Sequence, residues 1–259
     1  MNYLGNFSME WHIHKGTQLD SMTGTMESEK TLIDKTDFDL SKVKDKLVLD
    51  AGCGAGRFAE VLARYGANVV GVDMSDAVNS ARDNLKGYPN VQIVRADIMD
   101  LPFADGTFDY IFSIGVLHHT PNTEQAFKVL PRFLKKGGEL AVWVYSNEGI
   151  IRKVYNRISE FYRLFSTNLP LKVLYVLCYG AIPLYYLKKI PVLGKILMVL
   201  LPSSIHSGWR WMILDTFDWY SPRYQWKHTY REVEQWFKHM GMVDIARLDI
   251  PVAVRGRKL

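Results

Sequence analysis

One stretch of this chain limits its fold more than any other. Residues 46–51 (KLVLDA) form a compact apolar run that stops abruptly at Gly52-Cys53-Gly54-Ala55-Gly56. Helical spacing follows over residues 55–65, with Phe58, Val61 and Leu62 on one face and Arg57, Glu60 and Arg64 off it. A buried strand that ends in a glycine turn and opens a helix lets a ligand approach the backbone closely. The same rhythm continues downstream. Strands are expected at residues 67–73, 91–94, 108–114 and 139–145. Between them fall a helix from a Ser75 cap to about Lys86 and a helix over residues 123–136, closed by Gly137-Gly138. This alternation predicts an α/β fold, a parallel sheet covered on both faces.

The rhythm breaks after Tyr145. Residues 147–214 hold nine Lys or Arg against two Glu, so this segment carries +7 of a chain whose net charge is +5. Residues 161–214 contain no acid at all. The longest uncharged apolar run, residues 173–187, includes Gly180 and Pro183 and falls short of the roughly 20 residues a bilayer crossing needs. The rhythm returns with a helix over residues 229–240, stopped by Gly241, and short strands at 242–248 and 251–254. The expected organisation is a cover segment (1–45), a core (46–146), a basic apolar helical insertion serving as a lid (147–214) and a completion of the core (215–259). Two cysteines, Cys53 and Cys178, supply neither a disulfide framework nor a zinc site, and residues 1–20 lack a secretory apolar stretch. These features predict a cytoplasmic protein.

The glycine spacing is GxGxG, distinct from the GxGxxG dinucleotide fingerprint. Asp50 beside the loop would repel a pyrophosphate but suits a cationic ligand such as a sulfonium nucleoside. Asp73, seventeen residues after Gly56, ends the second strand, where a carboxylate accepts hydrogen bonds from ribose hydroxyls; Asp97 ends the third. The set LDAGCGAGR, VVGVDMS, RADIMDLPFADGTFD, SIGVLHHTPN and FLKKGGELAVWVY resembles the class I S-adenosylmethionine-dependent methyltransferases, near the ubiquinone/menaquinone C-methyltransferase-like group. The resemblance covers residues 46–145 and, more loosely, the last helix and strands. It implies a doubly wound, Rossmann-like seven-stranded sheet of order 3-2-1-4-5-7-6 with the seventh strand antiparallel, and S-adenosyl-L-methionine as cofactor. It also implies that Gly52, Cys53, Gly54 and Gly56 line the methionine portion with Asp50 nearby. Asp73 takes the ribose, Met74 packs on adenine, and Asp97 and Ile98 address its edge. Ser113 and Gly115 pass beneath the sulfonium, and Gln18 or Lys15 meets the carboxylate.

On the acceptor side, His119 is the candidate general base for a hydroxyl, because histidine titrates near neutrality. His118 either contacts the acceptor or shapes the loop. The cluster from Asp215 to His228 is read in two ways: as a structural hinge, or as an acceptor site with Tyr220 and His228 catalytic and Arg223 and Tyr224, with Tyr145, binding substrate. His12 and His14 alternate without a completing acid or cysteine, so no metal is expected. Basic residues interleaved with Leu, Ile and Val argue against nucleic acid. They suit a small or lipid-like hydrophobic acceptor, or an anionic surface at the inner face of a membrane. The expected activity is methyl transfer to O, N or C. The alternatives are a methyltransferase-like binding module docked through its insertion, and an RNA methyltransferase.

Overall fold

A computed structural model describes Met9, Ile13, His14 and residues 16–259. Seven strands form one sheet: β1 (Leu47–Ala51), β2 (Asn68–Asp73), β3 (Val91–Arg95), β4 (Phe108–Ile114), β5 (Leu134–Trp143), β6 (Met242–Arg247) and β7 (Ala253–Lys258). Their order is β3-β2-β1-β4-β5-β7-β6. The first five are parallel; β7 runs antiparallel to β5 and β6 antiparallel to β7, as the resemblance implied.

Side chains alternate between faces along each strand. Leu49, Ile111, Leu140 and Val142 enter one core with Phe127, Val233 and Phe237, whereas Val48, Phe112 and Ala141 enter the other with Leu32, Phe58 and Leu62. Continuous apolar runs are therefore what two covered faces require. The covering helices are α1 (Glu27–Thr36), α2 (Arg57–Arg64), α3 (Ala77–Leu85), α4 (Thr123–Val129) and, after the insertion, α10 (Tyr230–His239). Asp20 caps α1 from outside, its carboxylate accepting from the N–H groups of Ser28 (2.9 Å) and Glu29 (3.0 Å). Thr229 and Glu232 form a reciprocal capping box on α10, and Gly241 follows at φ 68°.

One element departs from expectation. The helix anticipated over 123–136 ends at Val129, a 3₁₀ turn carries Pro131, and β5 begins at Leu134. Proline cannot donate to the preceding turn, and Leu134 pairs with Phe108 before a bulge restores the ladder at Tyr110–Glu139. Gly137 (φ 77°) thus sits within the irregular start of a strand rather than behind a helix.

The segment from 147 onward is helical: α5 (Ile150–Ser166), α6 (Leu171–Cys178), α7 (Ala181–Leu187), α8 (Leu193–Leu200) and α9 (Trp209–Tyr220). Its own core is small, centred on Leu174, Cys178, Ile213 and Phe217. Helix α9 runs unbroken across position 214, so the helical cap extends to Tyr220.

Candidate active site

The carboxyl ends of β1, β2, β3 and β4 meet at one edge of the sheet, where the strand order reverses between β1 and β4. There Gly52, Gly54 and Gly56 all take positive φ (99°, 52° and 89°). The N–H groups of Gly52 and Cys53 donate to the Val72 carbonyl at 2.8 and 2.9 Å. Gly54 N–H donates to Asp73 Oδ2 at 3.0 Å, while the Ser75 N–H and hydroxyl donate to Asp73 Oδ1 at 2.9 and 2.7 Å. Asp73 therefore holds the glycine loop against the end of β2 and still borders the space above it. Asp97 turns its own loop, accepting from Met99 N–H at 2.9 Å.

Above this edge lies a cavity of about 450 Å³, within the roughly 300–1,000 Å³ typical of small-molecule sites. Of the cofactor residues expected from sequence, Gln18, Gly52, Cys53, Gly54, Asp73, Met74, Asp97 and Ile98 border it. Asp50, Gly56 and Ser113 stand behind that wall. Ser113 is fully buried and its hydroxyl donates to the Ala51 carbonyl at 2.7 Å. Gly56 caps α2 against Leu85. Asp50 is 1% exposed with Oδ2 unpartnered, and burial, helped by the Asp73 charge, pushes its carboxyl up to about 8. Burial likewise pushes the Cys53 thiol well above its ordinary value, which removes it as a nucleophile. Lys15 and His12 lie outside the described residues.

On the opposite side, His119 and Tyr145 border the cavity. Tyr145 Oη donates to Asp218 Oδ2 at 3.0 Å. His119 Nδ1 is 2.8 Å from the Tyr224 carbonyl, which only accepts, so Nδ1 carries the proton and Nε2 is the basic nitrogen. Burial lowers the His119 pKa, opposed by Asp218. The other acceptor candidates do not border the cavity. His118 is fully buried, stacked 3.9 Å from the Tyr145 ring centroid, with both ring nitrogens unpartnered. Tyr220 Oη donates to the Pro202 carbonyl at 2.5 Å, because α9 continues through it and directs the phenol into the cap. His228 Nε2 meets Thr123 Oγ1 at 3.0 Å, in a backbone bridge to Ser146 that fixes the chain before α10. Arg223 is exposed, and Tyr224 gives its carbonyl to His119 while its ring stacks with Trp226.

Five cavity residues of clear chemistry carried no assignment from sequence. Arg57 sat inside the glycine motif, Trp143 inside FLKKGGELAVWVY, and Asp215 and Asp218 inside the aromatic cluster, but nothing marked Lys35. Lys35 Nζ stands 3.3 Å from the Trp143 ring centroid, and burial together with the Arg57 charge draws it down to about 7. Burial draws Arg57 down to about 10 and pushes Asp215 up to about 6. Two cations and two carboxyl groups in one cavity complement a zwitterionic ligand.

Burial lowers the pKa of His14 (to about 4), His118, His119 and His228. Each depressed pKa gives stability that is complete above the unfolded value of about 6.5 and is lost as pH falls below it. The urea midpoint is therefore expected to fall steadily from pH 7 to pH 5. His118→Leu, which removes a buried ring whose nitrogens lack hydrogen-bond partners, should make that fall shallower. An unchanged slope would show that His118 does not contribute to it.

These residues fit S-adenosylmethionine: acids end β2 and β3, the loop leaves no room for a side chain at Gly52, and a buried acid lies beneath it. Residues 49–142 match the methyltransferase domain family. The chain is 36% identical over 125 residues to Methyltransferase GfsG of Streptomyces halstedii, covering 46% of this chain and 45% of that one. It is 36% identical over 108 residues to sterol 24-C-methyltransferase erg6 of Schizosaccharomyces pombe, covering 39% and 29%. A solved SAM-dependent methyltransferase from Aquifex aeolicus superposes over 90% of this chain and 97% of its own, with TM-score 0.49 and 16% identity. The chain spans about half or less of the curated relatives it matches. The part of the chain that resembles the methyltransferase domain family is residues 49–142, which hold the glycine loop, Asp73 and Asp97.

Proposed function

We propose that the protein transfers a methyl group from S-adenosylmethionine to a small, lipid-like hydrophobic acceptor. The observation that carries this reading is the composition of the cavity above the sheet edge. Strand-end acids and glycine backbone line it together with Trp143, Trp211, Trp219, Tyr145 and His119. Aromatic walls with a few convergent polar groups suit an apolar molecule held in one orientation. Relatives named as sterol 24-C- and sterol 4-C-methyltransferases support an acceptor of that class.

When bound, the cofactor supplies an electrophilic methyl group on a sulfonium. The chain's own residues do the rest. Asp73 and Asp97, with Met74 and Ile98 beside them, hold the nucleoside; Lys35, Arg57, Asp215 and Gln18 face its amino-acid end. Helix α9 adds Trp211 and Trp219 to the cavity wall. Tyr145, fixed by Asp218, and the three tryptophans orient the acceptor for in-line attack, which is the main requirement of methyl transfer. For a hydroxyl acceptor, His119 would take the proton once ligand binding uncovers Nε2, which is buried in this structure.

Incubation of the protein with methyl-labelled cofactor and a total lipid extract should place label in the organic phase. Label found only in water-soluble products or in RNA would overturn the acceptor class. Asp73→Ala should weaken calorimetric binding of S-adenosylhomocysteine at least about tenfold, through lost ribose bonds worth roughly 1.5–3 kcal/mol and a loosened Gly54. Equal affinity would remove Asp73 from this role.

A further inference from the structure

Helix α5 is inside out. Its buried positions are Asn156, Ser159, Arg163 and Ser166, a single polar stripe at helical spacing. Its solvent side presents Ile150, Ile151, Phe161, Leu164 and Phe165, each between 59% and 82% exposed. Hydrogen bonds hold it this way round. Arg163 donates to the carbonyls of Trp219 (3.0 Å) and Pro222 (2.5 Å), the Ser166 hydroxyl to that of Tyr220 (2.9 Å), and Asn156 to that of Ser146 (3.0 Å). Rolling the helix to bury its apolar side would strand those polar groups, so the exposure is built in.

The other helices of the insertion also expose apolar side chains. Val176 and Leu177 on α6, Val192 before α8 and Ile196 on it are exposed by 50% to 72%. Most of the large apolar side chains that the described structure leaves exposed lie between residues 150 and 209, far more than an ordinary soluble surface carries in one region. Among them stand exposed Arg152, Lys153, Arg157, Lys172, Lys189 and Lys195. No acid occurs between Glu160 and Asp215, and Glu160 itself is paired with Lys227 at 2.9 Å.

Apolar side chains mixed with uncompensated cations complement a surface that is apolar below and anionic above. A second copy of the same face would set cation against cation. No described helix is long and apolar enough to cross a membrane; α5 is amphipathic, and α6, α7 and α8 are short and apolar with at most one lysine each. We propose that residues 150–209 form a docking face for anionic phospholipid bilayers, lying in the interface with Phe161, Leu164 and Phe165 in the acyl boundary and the lysines and arginines at the phosphates. Trp209 (51% exposed) and Tyr186 (65%) are the residue types that settle at that depth. This docking does not depend on the methyl-transfer reading.

Flotation of the full chain with phosphatidylcholine vesicles, and with vesicles of equal phosphatidylcholine and phosphatidylglycerol, tests it. The protein should float with the anionic vesicles and at least about tenfold less with the neutral ones. Lys189→Glu with Lys195→Glu, and separately Phe161→Ser with Phe165→Ser, should each lower the bound fraction about tenfold. None of these four side chains borders the cavity, so S-adenosylhomocysteine binding and the melting temperature should stay unchanged. Absence of flotation, equal flotation with both vesicles, or variants that float like the parent would each overturn the proposal. So would a concentration-dependent dimer, abolished by the Phe pair, in a protein that does not float. Flotation in a protein that binds no S-adenosylhomocysteine would leave docking standing and remove methyl transfer.

Discussion

Gly52→Ala is expected to abolish measurable cofactor binding and to lower stability by about 2–5 kcal/mol. Two separate penalties add. At φ 99° the backbone occupies a region that costs a side chain about 1–2 kcal/mol. The new Cβ would also stand 2.3 Å from Val116 Cγ2, 2.5 Å from Cγ1 and 2.8 Å from Cβ. Valine is branched at Cβ and cannot swing a flexible end aside, so either Val116 or the loop moves, at about 1–3 kcal/mol. Either movement reaches the cavity, because both residues form its wall and the Gly52 N–H is tied to Val72. Affinity for S-adenosylhomocysteine should drop by about 10²-fold or more, roughly 2.7 kcal/mol. Gly52→Ala with Val116→Gly removes the collision, Cβ contact included, and leaves the backbone penalty. Calorimetry and urea unfolding on both variants separate the two contributions. Parent-like binding in Gly52→Ala would mean that the loop does not carry the cofactor.

The second large effect belongs to His119. For a hydroxyl acceptor, His119→Ala should lower turnover by about 10²-fold or more with cofactor binding retained. The pH profile carries the sign. Burial lowers the ring's pKa, so His119 is neutral and competent at pH 7. The parent's rate should be level from pH 7 upward and should decline only below that depressed value, as protonation removes the lone pair on Nε2. The variant should lose this acid limb. His119→Ala with unchanged turnover would assign the reaction to positioning alone, by Tyr145, Asp218 and the tryptophan walls.

His118 shows how adjacent identical residues divide. Both follow β4, and nothing local separates them. The 3₁₀ turn Leu117–His119 sends one ring under Tyr145 and the other to the Tyr224 carbonyl, which arrives from a segment more than a hundred residues away. Tyr220, Arg223 and His228 illustrate the same point from the other side. Their aromatic and ionisable character suggested a pocket, yet Tyr220 pins the cap to Pro202 and His228 anchors the approach to α10.

The sheet, its glycine turn and the acids ending β2 and β3 were legible in the chain itself. Each depends on local chemistry: apolar runs long enough for buried strands, glycines where φ must be positive, and a carboxylate one strand-length after the turn. The shortened α4 was also local, and Pro131 was the signal. Other features had no local cause. Lys35 reaches the cavity only because α1 packs beside β5 and brings its ammonium over Trp143. Asp215 and Asp218 face inward only because α9 lies across the sheet edge. The polar stripe of α5 reads in sequence as an ordinary solvent face, and hydropathy alone would turn it outward. Tertiary structure turned it inward because the carbonyls of Ser146, Trp219, Tyr220 and Pro222 needed donors, and a buried acceptor without one costs more than an apolar side chain left on the surface.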